Sequence, residues 1–316
     1  MESVRFTHFS FLSEGPQKNK QIKHRPRGKE HPPLTQIDAT TRLSADIRIQ
    51  TIRALEHAGF GHIGGSMSIA DVLAVLYGGE LRIRSQEPDW PERDYLVLSK
   101  GHCGPALYAA LALKGYFPMD WLNTVNQPGT RLPSHCDRLK TPGIDMTTGS
   151  LGQGISSAAG IALGLRMQGK DSRVFCILGD GELQEGQVWE AATAAEHLKL
   201  HRLIAFVDEN KRQLDGYVAD VCGGDPVEKF RAFGWNAVRV CGWDLNAISR
   251  EIRAASEQTC APSVIVLETT KGIGCSFAER ELANHYMVIS KEMADEAVAE
   301  IERRLLAGVY PAGEGA

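Results

Sequence analysis

From about Thr35 the polar and apolar positions fall into helical register. TRLSADIRIQTIRALEHAG sets Leu43, Ile47, Ile49, Ile52 and Leu55 near one face, and Gly59 ends the run. A glycine-dense stretch, GFGHIGGS, follows. The next apolar segment, IADVLAVLYGG, predicts a helix capped by Ser66 or Ser68. YLVLS at 95–99 reads as a short buried strand, PALYAALALKG as a helix, and ISSAAGIALGLRM as a helix whose small residues permit tight packing. Further short apolar runs lie at 174–178 (VFCIL), 203–207 (LIAFV), 237–241 (AVRVC) and 263–268 (SVIVLE), separated by helix-length segments. That alternation predicts βαβ units, hence an α/β fold: a doubly wound parallel sheet with helices on both faces.

Near the carboxyl end, SKEMADEAVAEIERRLLAG places Met293, Ala297, Ile301 and Leu305 on one helical stripe. The polar, basic, proline-punctuated segment PQKNKQIKHRPRGKEHPP has no core of its own. The expected organisation is a flexible extension at 1–36, one domain at 37–308 and a tail at 309–316.

Composition adds exclusions. A formal charge of −4 gives no global attraction for nucleic acid or an anionic membrane, so any bound anion must be gripped locally. No apolar run approaches the roughly 18 residues of a membrane span. The start, MESVRFTHFSFLSEG, lacks the pattern of a secretory signal. Seven scattered cysteines without a CxxC pair argue against a disulfide framework or structural zinc, and a reducing, cytoplasmic setting is expected.

The candidate chemistry sits in two turns. Gly179-Asp180-Gly181 follows one predicted strand and Asn210 follows the next. A right-handed crossover sets such strands side by side, with their carboxyl ends opening on one edge. Magnesium takes near-octahedral oxygen ligands, commonly a carboxylate-type group or two with phosphate oxygens and water, and Asp180 with Asn210 suits it. Gly179 and Gly181 leave room for a diphosphate, to which the amides after Asp180 can donate near a helix start. Either turn alone is ordinary loop chemistry; joined across one crossover they predict a shared metal ion.

GDGELQEGQVWEA followed by VDENKRQLDG resembles the thiamine diphosphate signature of transketolases. AGFGHIGGSMS, VLSKGHCG, TTGSLGQG, and KGIGCSF ahead of Asn284 and His285 extend the resemblance over residues 40–305. The resemblance implies a thiamine diphosphate-binding PP-type domain in which Asp180, Asn210 and the backbone carbonyl of Arg212 ligate Mg²⁺. It implies that Gly179 and Gly181 adjoin the diphosphate and that Gly149 and Leu151 contact the cofactor ring. By the same likeness, His102 and His285 lie near the diphosphate, while His62, His135 and His285 bind the sugar donor and pass protons. Glu185 matches an acid that links to a partner's active site, although an acid at a helix start is also favourable without any such role. Two positions depart from the family pattern and bear on substrate fit: Ile63 stands where proline is common, and Tyr286 where glycine follows His285.

What the resemblance implies is transfer of a two-carbon ketol unit from a ketose to an aldose through thiamine diphosphate. In the family, the glutamate that activates the cofactor lies on a pyrimidine-binding domain beyond the part matched here. The expected partner is therefore a separate C-terminal, pyrimidine-binding subunit, with self-association as well. The sugar stays open among pentose phosphates, apulose phosphate and sulfosugars. Alternatives are the alpha subunit of a 2-oxoacid dehydrogenase, a fragment of a deoxyxylulose phosphate synthase, and a non-catalytic cofactor-binding paralogue.

Overall fold

The computed structural model describes residues 38–311, so the extension predicted at 1–36 and the end of the predicted tail lie outside the described residues. Helix α1 (Ala39–Ala58) starts where the Asp38 carboxylate accepts the amides of Thr40 and Thr41, and it ends at Gly59 in the left-handed conformation, φ 82°. Its apolar stripe is buried as expected, with Leu43 only half-buried. That face also buries Arg48, whose charge is met by Asp71 at 2.6 Å. Strand β1 (Phe60–Gly61), α2 (Ile63–Ser68) and α3 (Ala70–Val75) follow.

Here one expectation fails. Ser66 and Ser68 lie inside α2 and cap nothing: Ser66 Oγ donates to the His62 carbonyl at 2.6 Å, and Ser68 Oγ to Asp208 at 2.6 Å. Ser66 turns back to a carbonyl at the start of its own helix, and for Ser68 a buried acceptor from another element takes the hydroxyl that local geometry would have turned to a helix amide.

The chain continues through β2 (Tyr95–Leu98), α4 (Gly104–Leu113), α5 (Gln153–Met167), β3 (Val174–Gly179), α6 (Gly186–His197) and β4 (Leu203–Glu209). A two-residue pair, β5 (Arg212–Gln213) with β6 (Gly216–Tyr217), leads to α7 (Val218–Cys222) and α8 (Pro226–Ala232). Then come β7 (Asn236–Cys241), α9 (Leu245–Ser256), β8 (Ser263–Glu268), α10 (Ser276–Arg280), β9 (Met287–Val288) and α11 (Lys291–Ala307). In α11 the stripe holds at Ala297, Ile301 and Leu305, but Ala294 is buried where Met293 was expected.

The central sheet runs β2-β3-β4-β8-β7, every neighbouring pair parallel. Alternate residues serve opposite faces. Phe175, Ile177, Ile204 and Phe206 join the core built with α1, α3, α4 and α11; Val174, Cys176, Ala205 and Val207 join the one built with α5, α6 and α8. This is the doubly wound arrangement, and it explains why the strands read as unbroken apolar runs instead of alternating ones. Each fully buried side chain such as Ile177 contributes about 1.5–3 kcal/mol relative to an exposed one. Away from the sheet, β1 pairs antiparallel with β9 through Phe60↔Val288 and Gly61↔Met287, which brings the segment after α1 to the segment after His285.

Candidate functional site

The carboxyl ends of β2, β3, β4 and β8 share one edge, the position where open α/β sheets bind ligands. Asp180 follows β3 and Asn210 follows β4, and Gly179 stands in register with Asp208. The two turns are stitched together: the Asp180 amide donates to the Asp208 carbonyl at 3.2 Å, and the Lys211 amide to Asp180 Oδ2 at 2.5 Å. Lys211 makes this contact from the left-handed region, φ 66°, an uncommon conformation for a side-chain-bearing residue that marks the turn as held in place. Gly181 donates to Asp180 Oδ1 at 2.8 Å within a 3-10 turn, Gly181–Gln184, and α6 begins only at Gly186.

These turns open into a cavity of about 360 Å³ that also receives His62, His102, His135 and His285. Every site residue expected from the sequence lines it: Gly149, Leu151, Gly179, Gly181, Glu185 and Arg212 join the histidines, Asp180 and Asn210. The imidazoles form one cluster around His62, whose ring centre lies 5.4 Å from that of His102, 5.7 Å from His135 and 5.1 Å from His285. Burial first, then the neighbouring imidazoles and Lys271, pushes His62 down to about 4. His285 is likewise held at about 4, by burial and then by Lys271, and burial lowers His102 and His135 as well. At neutral pH the four rings are uncharged, each able to accept one hydrogen bond and donate another.

Two glycines are required sterically. A Cβ on Gly181 would stand 2.8 Å from the Gln213 Cβ, and one on Gly152, which sits at φ 81°, would stand 2.8 Å from the Glu185 Cβ. Glu185 occupies the N-cap position of α6 but makes no side-chain cap bond there; its exposed side chain borders the cavity instead. The buried acid of this turn is Glu182, which accepts from Ser99 Oγ, from the Gly152 amide at 2.8 Å and from the Gly179 amide at 3.0 Å. It clamps the 149–152 loop to the end of β3.

The sequence reading missed Glu182, Lys100, Asp208 and Lys271. Asp208 is fully buried and accepts hydrogen bonds from Ser68, Lys100, Asn210 and Thr269. Burial by itself would raise its carboxyl, but the Lys100 ammonium and these bonds hold it below the usual carboxylate range. Lys271 donates to the Leu214 carbonyl at 2.8 Å and lies 3.5 Å from His285 Nδ1, its amine lowered to about 8 by burial and then by Lys100. For three of them a signal was available: each lysine directly precedes a glycine in an already notable turn, KGHC or KGIG, and Asp208 is the first charge in an otherwise apolar strand.

Asp180 bears on whether a divalent cation fits. Burial and then the Asp208 charge push its carboxyl up to about 7, against the amides of Lys211 and Gly181. A carboxylate so disfavoured is short of a cation, and a metal ion reverses that balance. One carboxylate and one amide are too few for Mg²⁺ alone, so the set fits an ion completed by phosphate oxygens and water. A larger cavity of about 480 Å³, between the starts of α1 and α9, contains none of these residues. No helix among the described residues is long and apolar enough to cross a membrane.

Comparison with known proteins gives matches over most of the chain. The family model described as "Transketolase, thiamine diphosphate binding domain" matches residues 39–306. The chain is 52% identical over 258 residues to the 6-deoxy-6-sulfo-D-fructose transketolase subunit SqwG of Clostridium sp. (strain MSTE9), covering 81% of this chain and 94% of that protein. It is 33% identical over 271 residues to an apulose-4-phosphate transketolase subunit of Phocaeicola vulgatus, covering 85% and 96% respectively. Among solved structures, a transketolase mutant from Pichia stipitis superposes with a TM-score of 0.80 at 30% identity, covering 85% of this chain and 41% of that one. The transketolase of Leishmania mexicana gives 0.79 at 31% identity, covering 85% and 42%. The chain thus spans about two-fifths of the length of those two solved chains.

Proposed function

The chain belongs to the transketolase family through its thiamine diphosphate-binding domain, and from that premise we propose that it is the cofactor-diphosphate and Mg²⁺-holding subunit of a two-chain transketolase. It transfers a two-carbon ketol unit from a ketose to an aldose. The observation that carries this reading is the meeting of the Asp180–Asn210 turns with four uncharged histidines in one cavity.

Thiamine diphosphate, when bound, supplies the carbon nucleophile for breaking and making the carbon–carbon bond. Asp180, Asn210 and the backbone carbonyl of Arg212 would hold Mg²⁺ with the diphosphate, and Gly179 and Gly181 would leave room for that diphosphate. Lys271, in the same cavity, would add a positive charge, and His102 would lie near the bound diphosphate. Gly149 and Leu151, which line the cavity, would contact the cofactor ring. His62, His135 and His285 are uncharged at neutral pH, so each can take a proton from a sugar hydroxyl at a ring nitrogen and return it later. Glu185, exposed at the rim, suits contact with a second polypeptide.

That polypeptide is a separate pyrimidine-binding subunit. Support comes from the two relatives matched over 94% and 96% of their length, both named as subunits of transketolases. The family match favours this reading over a 2-oxoacid dehydrogenase alpha subunit. The donor is a ketose ending in an anion, sulfonate ahead of phosphate, because the relative at 52% identity is named for a sulfofructose and the one at 33% for a sugar phosphate. The seven free cysteines accord with a reducing, cytoplasmic setting.

The test is an assay of the purified chain, alone and with a co-expressed pyrimidine-binding subunit, with Mg²⁺, thiamine diphosphate, sulfonated and phosphorylated ketose donors and an aldose acceptor. Ketol transfer should need both chains. Substantial transfer by this chain alone refutes the two-chain reading, and turnover of 2-oxoacids in place of ketoses refutes the reaction.

A further inference from the structure

An asparagine offers a metal ion two nearly isosteric faces, and only its oxygen can ligate. Something must fix which face is presented. In the 210 turn, Asn210 Nδ2 donates to Asp208 Oδ2 at 2.8 Å, while Asn210 Oδ1 accepts the Arg212 amide at 3.0 Å. Asp208 is fully buried and already takes hydrogen bonds from Lys100, Ser68 and Thr269, so its oxygens face the turn as acceptors. A flipped amide would set its oxygen against that carboxylate and its NH₂ against the Arg212 donor. The nitrogen is therefore committed to Asp208, and the oxygen's second lone pair is what Asn210 has left to offer.

We propose that Asp208 is the positioning residue of the metal turn, a buried carboxylate that locks the Asn210 amide with its oxygen available to Mg²⁺. This deepens the proposed function and rests on it. The four donors come from four places in the fold: Ser68 ends α2, Lys100 follows β2, Asn210 follows β4, and Thr269 follows β8. Asp208 thus ties the orientation of one amide to the relative placement of three strand ends. It touches neither substrate nor cofactor in this role; it acts through Asn210, as partners of metal ligands commonly do. An amide at 208 would present an NH₂ to this ring of donors and lose the discrimination.

The test uses the full chain and binding, not turnover. Calorimetric titration with thiamine diphosphate, in Mg²⁺ and again in chelator, gives the metal-dependent part of the affinity as a ratio. Asp208→Asn should lower that ratio by about tenfold or more, the range seen when partners of metal ligands are removed, with the value in chelator unmoved. The exchange Asp208→Asn with Asn210→Asp keeps charge and composition and puts a carboxylate, which has no wrong face, at the metal; it should restore most of the ratio. Ser68→Ala removes a donor without touching Asn210, so it should lower the thermal midpoint and keep the wild-type ratio.

An unchanged ratio in Asp208→Asn overturns the proposal, as does an equal loss in Ser68→Ala, which would make the role purely structural. If Asp208→Asn does not fold, the exchange decides: a folded exchange variant without metal-dependent binding overturns the idea, and one that retains it supports it. Absence of Mg²⁺-dependent binding in the wild-type chain strikes at the proposed function instead.

Discussion

His62 and His285 meet edge to face, with ring centres 5.1 Å apart and planes at 83°, although one follows the first helix and the other precedes the last. The β1–β9 pairing holds them together, and burial keeps both rings uncharged.

That charge state makes stability depend on pH. Both imidazoles are held at about 4 against an ordinary value of 6.5, so between those values the unfolded chain binds protons that the folded chain refuses. Stability therefore rises with pH across that window and falls as pH drops through it. Scanning calorimetry in a buffer series should show the thermal midpoint falling from neutral pH toward pH 4. Replacing both residues by glutamine should shrink the fall; identical slopes in variant and wild type would argue against it.

Asp180 is strained in the opposite sense. Its folded value of about 7 lies above the ordinary 3.8, so without a cation it costs stability increasingly as pH rises through that range. In chelator above neutral pH, Asp180→Asn should be more stable than wild type by about 1 kcal/mol or more. The same variant should lose the rise in melting temperature that Mg²⁺ with thiamine diphosphate gives the parent. A variant less stable than wild type under chelation would contradict this account.

Remote from the cavity, the Arg48 guanidinium lies wholly inside the core with Asp71 at 2.6 Å, and Asp71 also accepts from Ser44. Asp71→Ala leaves a buried cation unpaired, and urea unfolding should register a loss of about 3–5 kcal/mol. Under native conditions its cofactor affinity should match that of the parent, because neither residue lines the site.

Lys271 lies 3.5 Å from His285 Nδ1 and is the next cause, after burial, of that imidazole's low value. Lys271→Met should move the His285 titration from about 4 toward 6.5, followed by NMR of the ring C–H signals. A His285 titration that stays in place would mean that Lys271 has no part in setting it.

Much of the sheet was legible from local pattern. Strands buried on both faces need unbroken apolar runs, and VFCIL and LIAFV became β3 and β4 with the end positions off by one or two residues. Asp180 and Asn210 were also placed correctly, because a single crossover between adjacent strands turns separation along the chain into proximity. Ser66 and Ser68 were misread for the converse reason: their best acceptors, the His62 carbonyl and Asp208, depend on a helix boundary and on a residue far along the chain.

The amino-acid order by itself thus determined which segments become the strands of the main sheet, where the glycine turns fall and which turn carries the carboxylate. Those properties follow from apolar periodicity and from backbone conformations that few residues adopt. Only the folded chain decided that Asp208, Lys100, Ser68 and Thr269 form one buried hub and that four histidines lose their charge together. Hydrogen-bond direction and desolvation are set by neighbours in space, and in this hub and this cluster those neighbours come from distant parts of the chain.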